Sequence, residues 1–456
     1  VRIQTWIAQS STKLALVRGA SILLTKYTAN SAIATWLATQ KIPGVTVAAD
    51  SGDVDGVIVL TSDDGDKLHS AAEGLIQHLE QTIPGLAWEG WAGEGNSYLD
   101  AYARHAADSL ALVSLPPLPE LGLVETCGWC GAEPAIKPLT IGDQYDIKMA
   151  GRGCIERKGA RDGQNRDVYR GKLWDDIPGK WPDDFRVLAR EGGPDTLRAV
   201  GRKDSRSHLA TVAADGNGIG NLFLRINELG LDSLRAQAVK LLNETTINAV
   251  TEAAKACGSC KVKVVIPHYV GGDDVFTSVT ASAVWTFAAQ LGVEFERLKE
   301  KLKALISPDR TDTADLEAAI DKLGLGIGIA FAGASVPISA TSEAAHLALG
   351  KAKAHTEGGP SAIGWVDLTA AADTLYAVSV EDIEMELTHP NAVFTLPASA
   401  RASLAAIVRS APDDLSAAVR RWGDRTGNEI PDYLVDSLPQ ILSRARWWPN
   451  LPEEDR

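Results

Sequence analysis

At ~150 residues per domain, the chain of 456 residues is about three domains long, which excludes a single small module. Apolar residues at 45% and charged residues at 23% lie near the averages for soluble globular proteins and exclude disordered and fibrous classes. The 45 basic and 59 acidic residues leave a net charge of −14, so nucleic acid would be met through local basic patches or partner subunits, and free-standing DNA binding is not expected.

The longest apolar runs, such as 323–335, are rich in glycine and fall short of the ~20 residues of a membrane span. Residues 1–24 carry Arg2, Lys13 and Arg18 and do not read as a signal peptide, so a cytoplasmic location is expected. Five cysteines are too few, and odd in number, for a disulfide scaffold, whereas two Cys-x-x-Cys pairs point to metal or redox use.

In chain order, the pattern predicts a strand over Val1 to Ala8, a helix through Ser21 to Thr39 and strands over Val45 to Asp50 and Val54 to Thr61, the two joined by Ser51-Gly52-Asp53. A helix over Lys67 to Gln81 and a strand over Leu86 to Trp91 follow. This is the β-α-β-β-α-β order of a ferredoxin-like unit. A helix from Ser97 to Ala111 and the stiff connector Leu115-Pro116-Pro117-Leu118-Pro119 close a domain over 1–119. Residues 120–205 are turn-rich, charged and aperiodic after Cys127-Gly128-Trp129-Cys130-Gly131, which reads as a cysteine-containing insertion organised by a metal.

From 206 to 395 the first pattern returns at larger size. It comprises strand His208 to Asp215, helical sequence Leu222 to Ala256, strand Lys261 to Val270, strand Asp273 to Thr280, helical sequence Ala281 to Leu305 and strand Leu325 to Ala332. Helix Ser342 to His355 and strand Ala362 to Asp367 follow, and 396–456 reads as a helical C-terminal domain. The fold class is α+β, with two ferredoxin-like units around a cysteine-containing insertion.

The stretch with most chemical content is Gly271-Gly272-Asp273-Asp274, between the apolar strands 264–270 and 275–280. Two glycines permit a tight hairpin turn and put two adjacent carboxylates at the sheet rim. Such a pair repels itself unless a cation neutralises it, and magnesium held by one or two carboxylates plus substrate phosphates is a common solution. Asp215 ends the strand expected beside that hairpin, so three carboxylates can converge. The following Gly216-Asn217-Gly218-Ile219-Gly220 precedes a helix whose amides could cradle a triphosphate. These parts suit two-metal nucleotidyl transfer, in which one ion activates a hydroxyl and the other steadies leaving pyrophosphate. The alternative is an ordinary solvated hairpin.

On these residues the sequence resembles the large catalytic subunit of type III CRISPR effector complexes, whose second palm domain carries Gly-Gly-Asp-Asp. The resemblance includes Ala213-Ala214-Asp215-Gly216-Asn217 with Gly220, and Gly326 to Ala332 with Pro337. It extends to Glu343-Ala344-Ala345 through Lys351-Ala352-Lys353, and to Ile3-Gln4-Thr5-Trp6-Ile7 with Gly19-Ala20-Ser21 at the start. It implies two palm domains, the first degenerate, and synthesis of cyclic oligoadenylate from ATP with Mg2+ or Mn2+, activated by target RNA. It implies metal or catalytic roles for Asp215, Asp273 and Asp274, and a nucleotide site using Gly216, Asn217, Gly220, Gly271 and Gly272, with Lys353 facing the triphosphate and Ser21 near a second nucleotide. The implied partners are guide and target RNA, reached through other subunits, a small helical one among them, with no membrane. Asn217 stands where the family has a second acid. No His-Asp dipeptide occurs and the chain begins at the first palm, so an HD nuclease and DNA cleavage by this subunit are not expected.

Cys127 and Cys130 have zinc-knuckle spacing and Cys154 offers a third ligand. Arg157 stands where the family's zinc ribbon has its fourth cysteine, leaving Glu156 or Asp162 as the fourth ligand, or else free thiols. Cys257 and Cys260 read as a redox pair, a ligand set or a plain helix end. Trp447-Trp448 and the arginines Arg401, Arg409, Arg420 and Arg421 read as a packed helical cap or as a docking surface with exposed aromatics. Two competing readings of function stay open: a catalytically inactive scaffold subunit, with Asn217 as its support, and a diguanylate-cyclase-like nucleotide cyclase.

Overall fold

The structure, a computed structural model, describes residues 2–8, 13–48, 51, 57–90, 92–95, 101, 112–114, 125–141, 146–162, 174–192, 208–258, 260–306, 313–369, 374–410, 414–445 and 447–448. It is a mixed α+β fold. Among the described residues no helix is long and apolar enough to cross a membrane.

The first residues form helix α1 (Arg2–Ala8), not the expected strand. Ile3, Trp6 and Ile7 stand at i, i+3 and i+4, so the same letters that alternate as a strand also form one helical stripe, and Trp6 and Ile7 are fully buried along it. The single helix expected over Ser21 to Thr39 is two, α2 (Leu14–Thr28) and α3 (Asn30–Gln40), broken where Ala29 turns extended. Strand β1 (Val45–Val47) pairs with β2 (Leu60–Ser62), α4 (Gly65–Thr82) follows, and β3 (Trp88–Gly90) pairs with β4 (Leu112–Ser114). Without the opening strand, the described residues of this unit hold two separate two-stranded sheets and not one of four strands. Gly52 and Asp53, most of the helix expected over Ser97 to Ala111, and the proline-rich connector lie outside the described residues.

The insertion contains hairpin β5 (Lys137–Thr140) and β6 (Ile147–Ala150), then helices α5 (Arg152–Asp162) and α6 (Phe185–Glu191). Gly19 of α2 lies against the Arg157 backbone of α5, where an added Cβ would fall 1.8 Å from the carbonyl oxygen, so only glycine permits that helix crossing.

The second unit follows the expected pattern closely. Its elements are β7 (His208–Asn217), α7 (Ile219–Glu228), α8 (Asp232–Ala256), β8 (Val265–Gly271), β9 (Asp274–Thr280), α9 (Val284–Lys303), α10 (Ala314–Asp321) and β10 (Gly324–Gly333). The long helix expected over Leu222 to Ala256 is interrupted at Gly230, whose φ of 63° suits glycine and ends α7. The strand expected from Lys261 begins only at Val265, because Val262 instead bridges to Lys180 and Gly192 of the insertion. The strands lie in the order β10-β7-β9-β8 with every neighbour antiparallel, the 4-1-3-2 arrangement of a ferredoxin-like unit. Helix α11 (Ile338–His355) then crosses over to β11 (Ala362–Asp367), parallel to β10, and β12 (Tyr376–Ser379) closes the edge.

Opposite faces of this sheet serve different ends. Ala210, Val212 and Ala214 of β7 pack into the large core containing α8 and α9 residues, whereas Leu209 and Phe276 join a second cluster with Trp6 and Ile7 of the first unit. Helix α11 lies almost on the sheet, since Cβ atoms added at Gly328 and Gly364 would each fall 2.0 Å from a helix carbonyl oxygen.

The tail is helical, as expected, with Ala398–Ser410, Leu415–Thr426 and Leu438–Ala445. Trp447 and Trp448 are buried, however, and not exposed for docking. Trp447 stacks on Phe331 at 5.2 Å and donates to Asp367 Oδ2 at 2.9 Å, while Trp448 stacks on Phe394 at 4.1 Å. Arg420 and Arg421 pair at the surface with Asp432 and Asp414.

Candidate active site

The last ladder pair of β7 with β9 is Ala214 opposite Val275, so the next rung sets Asp215 across from Asp274. Gly271 and Asp274 pair at the end of hairpin β8–β9, and Gly272 turns it with φ 60°, its amide held by Asn243 Oδ1 of α8 at 3.2 Å. Asp273 folds against Gly216, where an added Cβ would come 2.7 Å from Asp273 Oδ2. The structure therefore gathers Asp215, Asp273 and Asp274 at one rim of the sheet, with Gly216 as a backbone that must lack a side chain.

Half-buried surroundings act strongly on these acids. Burial, and then the Asp215 charge, push the Asp273 carboxyl up to about 6. Burial, Asp215 and Asp273 together push Asp274 up to about 7. Among the described residues the cation paired with them is Lys353, near the end of α11, which forms an ion pair with Asp215 and reaches the Gly216 carbonyl at 3.4 Å. Its stem crosses the sheet at Gly326, where a Cβ would meet Lys353 Cγ at 2.8 Å, so this glycine clears its path.

Three acids facing one lysine form a donor set with excess negative charge, and a divalent cation brought in with phosphates fits that deficit. The three do not form a tight cage, since among the described residues the ligand atoms that all lie within 4.8 Å of one another belong to a different cluster. A looser spread suits magnesium that keeps waters and phosphate oxygens as ligands.

Gly218 is the left-handed residue before α7, with φ 78°, and Gly220 has open space where a Cβ would stand. The α7 N-terminus thus follows Asp215 by a few residues. Asn217 is turned elsewhere. It is buried, and its Nδ2 donates to the Gly359 carbonyl at 2.9 Å, tying β7 to the loop before β11. Ser21 is also occupied: its hydroxyl donates to the His268 carbonyl and to Val17, so the structure uses it to fix α2 to β8.

One residue to which the sequence reading gives no site role reaches the acids. Gln4 of α1, 2% exposed, donates from Nε2 to Asp274 Oδ1 at 3.1 Å. A polar residue between Ile3 and Trp6 was the available signal, and the expected strand at 1–8 hid it.

The tight cluster is Cys127, Cys130, Glu133 and Cys154. Glu133, and neither Glu156 nor Asp162, stands as the fourth member. Glu156 points to solvent on α5, and Asp162 pairs with Lys158 and Arg161. Gly131, at φ 69°, donates to the Cys127 carbonyl at 2.8 Å and turns the chain so that Glu133 returns to the thiols. Its carboxylate accepts from the Gly153 and Cys154 amides at 2.8 and 3.1 Å. Hydrogen bonds from Cys130 and Cys154 hold the Cys127 thiol far below its usual range, while the hydrogen bond with Cys127, and then burial, push Cys130 up to about 11. Sulfurs that favour one anion, with a carboxylate beside them, fit a tetrahedral zinc ion. Cys257 simply ends α8 and bonds to the Ala253 and Ala283 carbonyls.

Comparison with known proteins touches this unit most directly. Residues 208–359, about a third of the chain, match the family model described as Cas10/Cmr2, second palm domain. No curated protein matches the chain. Among solved structures, an apo Csm1–Csm4 cassette is similar at 13% identity, with 98% of this chain and 69% of that chain covered and a TM-score of 0.46. The Csm1–Csm4 cassette in complex with one ATP is similar at 12% identity, with 98% and 68% covered and a TM-score of 0.46. Csm1 in T. onnurineus is similar at 12% identity, with 94% and 66% covered and a TM-score of 0.47.

Proposed function

We propose that the chain is a nucleotidyltransferase that makes cyclic oligoadenylate from ATP, as the RNA-activated large subunit of a type III CRISPR interference complex. The observation that supports this most is the gathering of Asp215, Asp273 and Asp274 beside Lys353 at the rim of a 4-1-3-2 sheet, within the segment that matches the second palm domain.

In this reading the oxygen of a ribose 3′ hydroxyl forms a bond to the α-phosphorus of a second ATP, its proton passes to solvent, and the bond to the leaving pyrophosphate breaks. Magnesium or manganese, when bound with the nucleotide by Asp215, Asp273 and Asp274, supplies charge for the hydroxyl and the leaving group. Lys353 supplies a fixed positive charge beside Asp215 and faces the triphosphate. The amides after Gly216, at the start of α7, offer donors to phosphate oxygens. Burial around Asp273 and Asp274 thins the water that competes for these charges.

The inactive-scaffold reading leaned on Asn217, and the contacts of that residue weaken it. An aspartate at 217 would set a carboxylate against the Gly359 and Pro360 carbonyl oxygens in a buried site, so an amide is what this fold requires there. The test is to incubate the chain, alone and assembled with guide and target RNA, with ATP and magnesium or manganese. Products are identified by mass spectrometry beside an Asp273→Ala, Asp274→Ala variant. Oligoadenylate that disappears with the two acids is the expected result; no product from the assembled complex would refute the reading.

A further inference from the structure

Of the three acids, Asp215 and Asp274 are carried by strands, whereas Asp273 rides on the tip of a turn. Gly271 and Asp274 form the last ladder pair of hairpin β8–β9, so Gly272 and Asp273 are the two residues between the strands. Gly272 has a φ of 60° and Asp273 does not have a positive φ, the pattern of a two-residue turn with glycine first. In such a turn the ladder uses the amides of the flanking pair and offers no acceptor to the first central N–H, here that of Gly272. A tip held by nothing else is among the most mobile parts of a fold. Asp273 is packed too closely on Gly216 for such freedom, since a Cβ at 216 would stand 2.7 Å from Oδ2 and 2.9 Å from Cβ of Asp273.

The missing acceptor comes from α8. Asn243 Oδ1 accepts from the Gly272 N–H at 3.2 Å, and this is the one hydrogen bond of the Asn243 side chain among the described residues. Asparagine is a poor residue for the middle of a helix, because its amide competes with the backbone for hydrogen bonds, so its place in α8 calls for a use outside the helix. The support behind it is rigid. Leu242, Thr245 and Thr246, its neighbours along α8, are buried, and Lys301 of α9 donates to Thr245 Oγ1 at 3.4 Å. An amide oxygen also suits a rim that already holds three carboxylates, because it accepts a hydrogen bond without adding a fourth negative charge.

We propose that Asn243 is a positioning residue for the turn that carries Asp273: by holding the Gly272 amide from α8 it sets Asp273 against Gly216, in the place from which the three acids meet metal and nucleotide. The role in transfer rests on the reading under Proposed function; the hold on the turn does not.

The test compares the full chain with its Asn243→Ala and Asn243→Asp variants. Backbone hydrogen exchange is read by mass spectrometry on the peptide that contains Gly271 to Val275, melting temperature is recorded, and steady-state ATP consumption with manganese is measured on the chain and on its complex with guide and target RNA. Alanine is the better helix former, so Asn243→Ala should fold and melt within a few degrees of the parent. The turn peptide should gain about one fast-exchanging hydrogen, with the peptides of α8 and α9 unchanged. A displaced carboxylate acts on the reaction more than on binding of the triphosphate, so kcat should fall at least about tenfold while KM for ATP changes by less than about twofold. Asn243→Asp keeps an acceptor at the same reach and should keep the turn peptide protected. Unchanged exchange of the turn in Asn243→Ala, faster exchange in Asn243→Asp as well, or an unchanged kcat in Asn243→Ala would each overturn the proposal. If the parent consumes no ATP in either form, the transfer reading fails by itself, and the exchange profiles still decide whether Asn243 holds the turn.

Discussion

Replacing Asp274 by asparagine should make the metal-free protein more stable near pH 8. In the unfolded chain this carboxyl ionises near its ordinary 3.8, and in the fold burial, Asp215 and Asp273 push it up to about 7. The unfolded state therefore releases the proton first as pH rises, and the fold loses stability from about pH 4 until it levels off above about pH 7. About three pH units at 1.36 kcal/mol each set an upper bound of about 4 kcal/mol on that loss. Asparagine keeps the shape and removes the charge, so about 2–4 kcal/mol should return near pH 8 and almost nothing near pH 4. Melting curves of parent and Asp274→Asn at several pH values, with and without manganese, read this directly. The gap should span several degrees near pH 8, close toward pH 4, and narrow when manganese neutralises the parent site. A variant less stable than the parent near pH 8, or a gap that ignores pH, would refute the view that the three acids repel one another across a half-buried rim.

Lys353→Met removes the cation paired with Asp215, and kcat/KM for ATP should fall at least about tenfold, with Lys353→Arg recovering part of it in steady-state assays. Gly328→Ala would drive a Cβ to 2.0 Å from the Ala345 carbonyl oxygen, so α11 must lift, with a cost of about 1–3 kcal/mol in urea unfolding and a parallel loss of turnover as Lys353 withdraws. Gly220→Ala meets open space in a helix and should hold or raise the melting temperature, so any fall in turnover there reports on phosphate approach alone. Zinc measured by mass spectrometry should copurify with the chain, and Cys154→Ser or Glu133→Ala should each remove most of it; retention of full zinc by Glu133→Ala would exclude Glu133 as a ligand.

The second unit was legible because its signals are local and agree with one another. Apolar strands bounded by glycine turns, with acids at their ends, predict both the strand order and the meeting of Asp215 with Asp273 and Asp274. Less legible were features whose meaning is tertiary. Gly326 and Gly328 read as ordinary strand residues, and only the position of α11 shows that the first makes room for Lys353 and the second for helix backbone. The opening segment failed because Ile3, Trp6 and Ile7 satisfy a helical stripe as well as an alternation, and burial against the second unit decided between them. Glu133 has a local signal, three residues after Cys130, but the knuckle spacing points to ligands after Cys154, whereas the turn at Gly131 brings the chain back before it.

Those two misreadings concern the same physical path. The thiol cluster includes Cys154 on α5; three residues later on that helix Arg157 grips the Trp6 carbonyl, and two residues before Trp6 stands Gln4 on Asp274. No step of this path is covalent or regular secondary structure shared between units, so no periodicity in the sequence could announce it. Each end of it is nonetheless constrained, since Arg157 is a buried charge with few partners and Asp274 is a half-buried acid among like charges. The thiol cluster and the rim of acids are thus joined by a chain of contacts that runs from the insertion through the first unit.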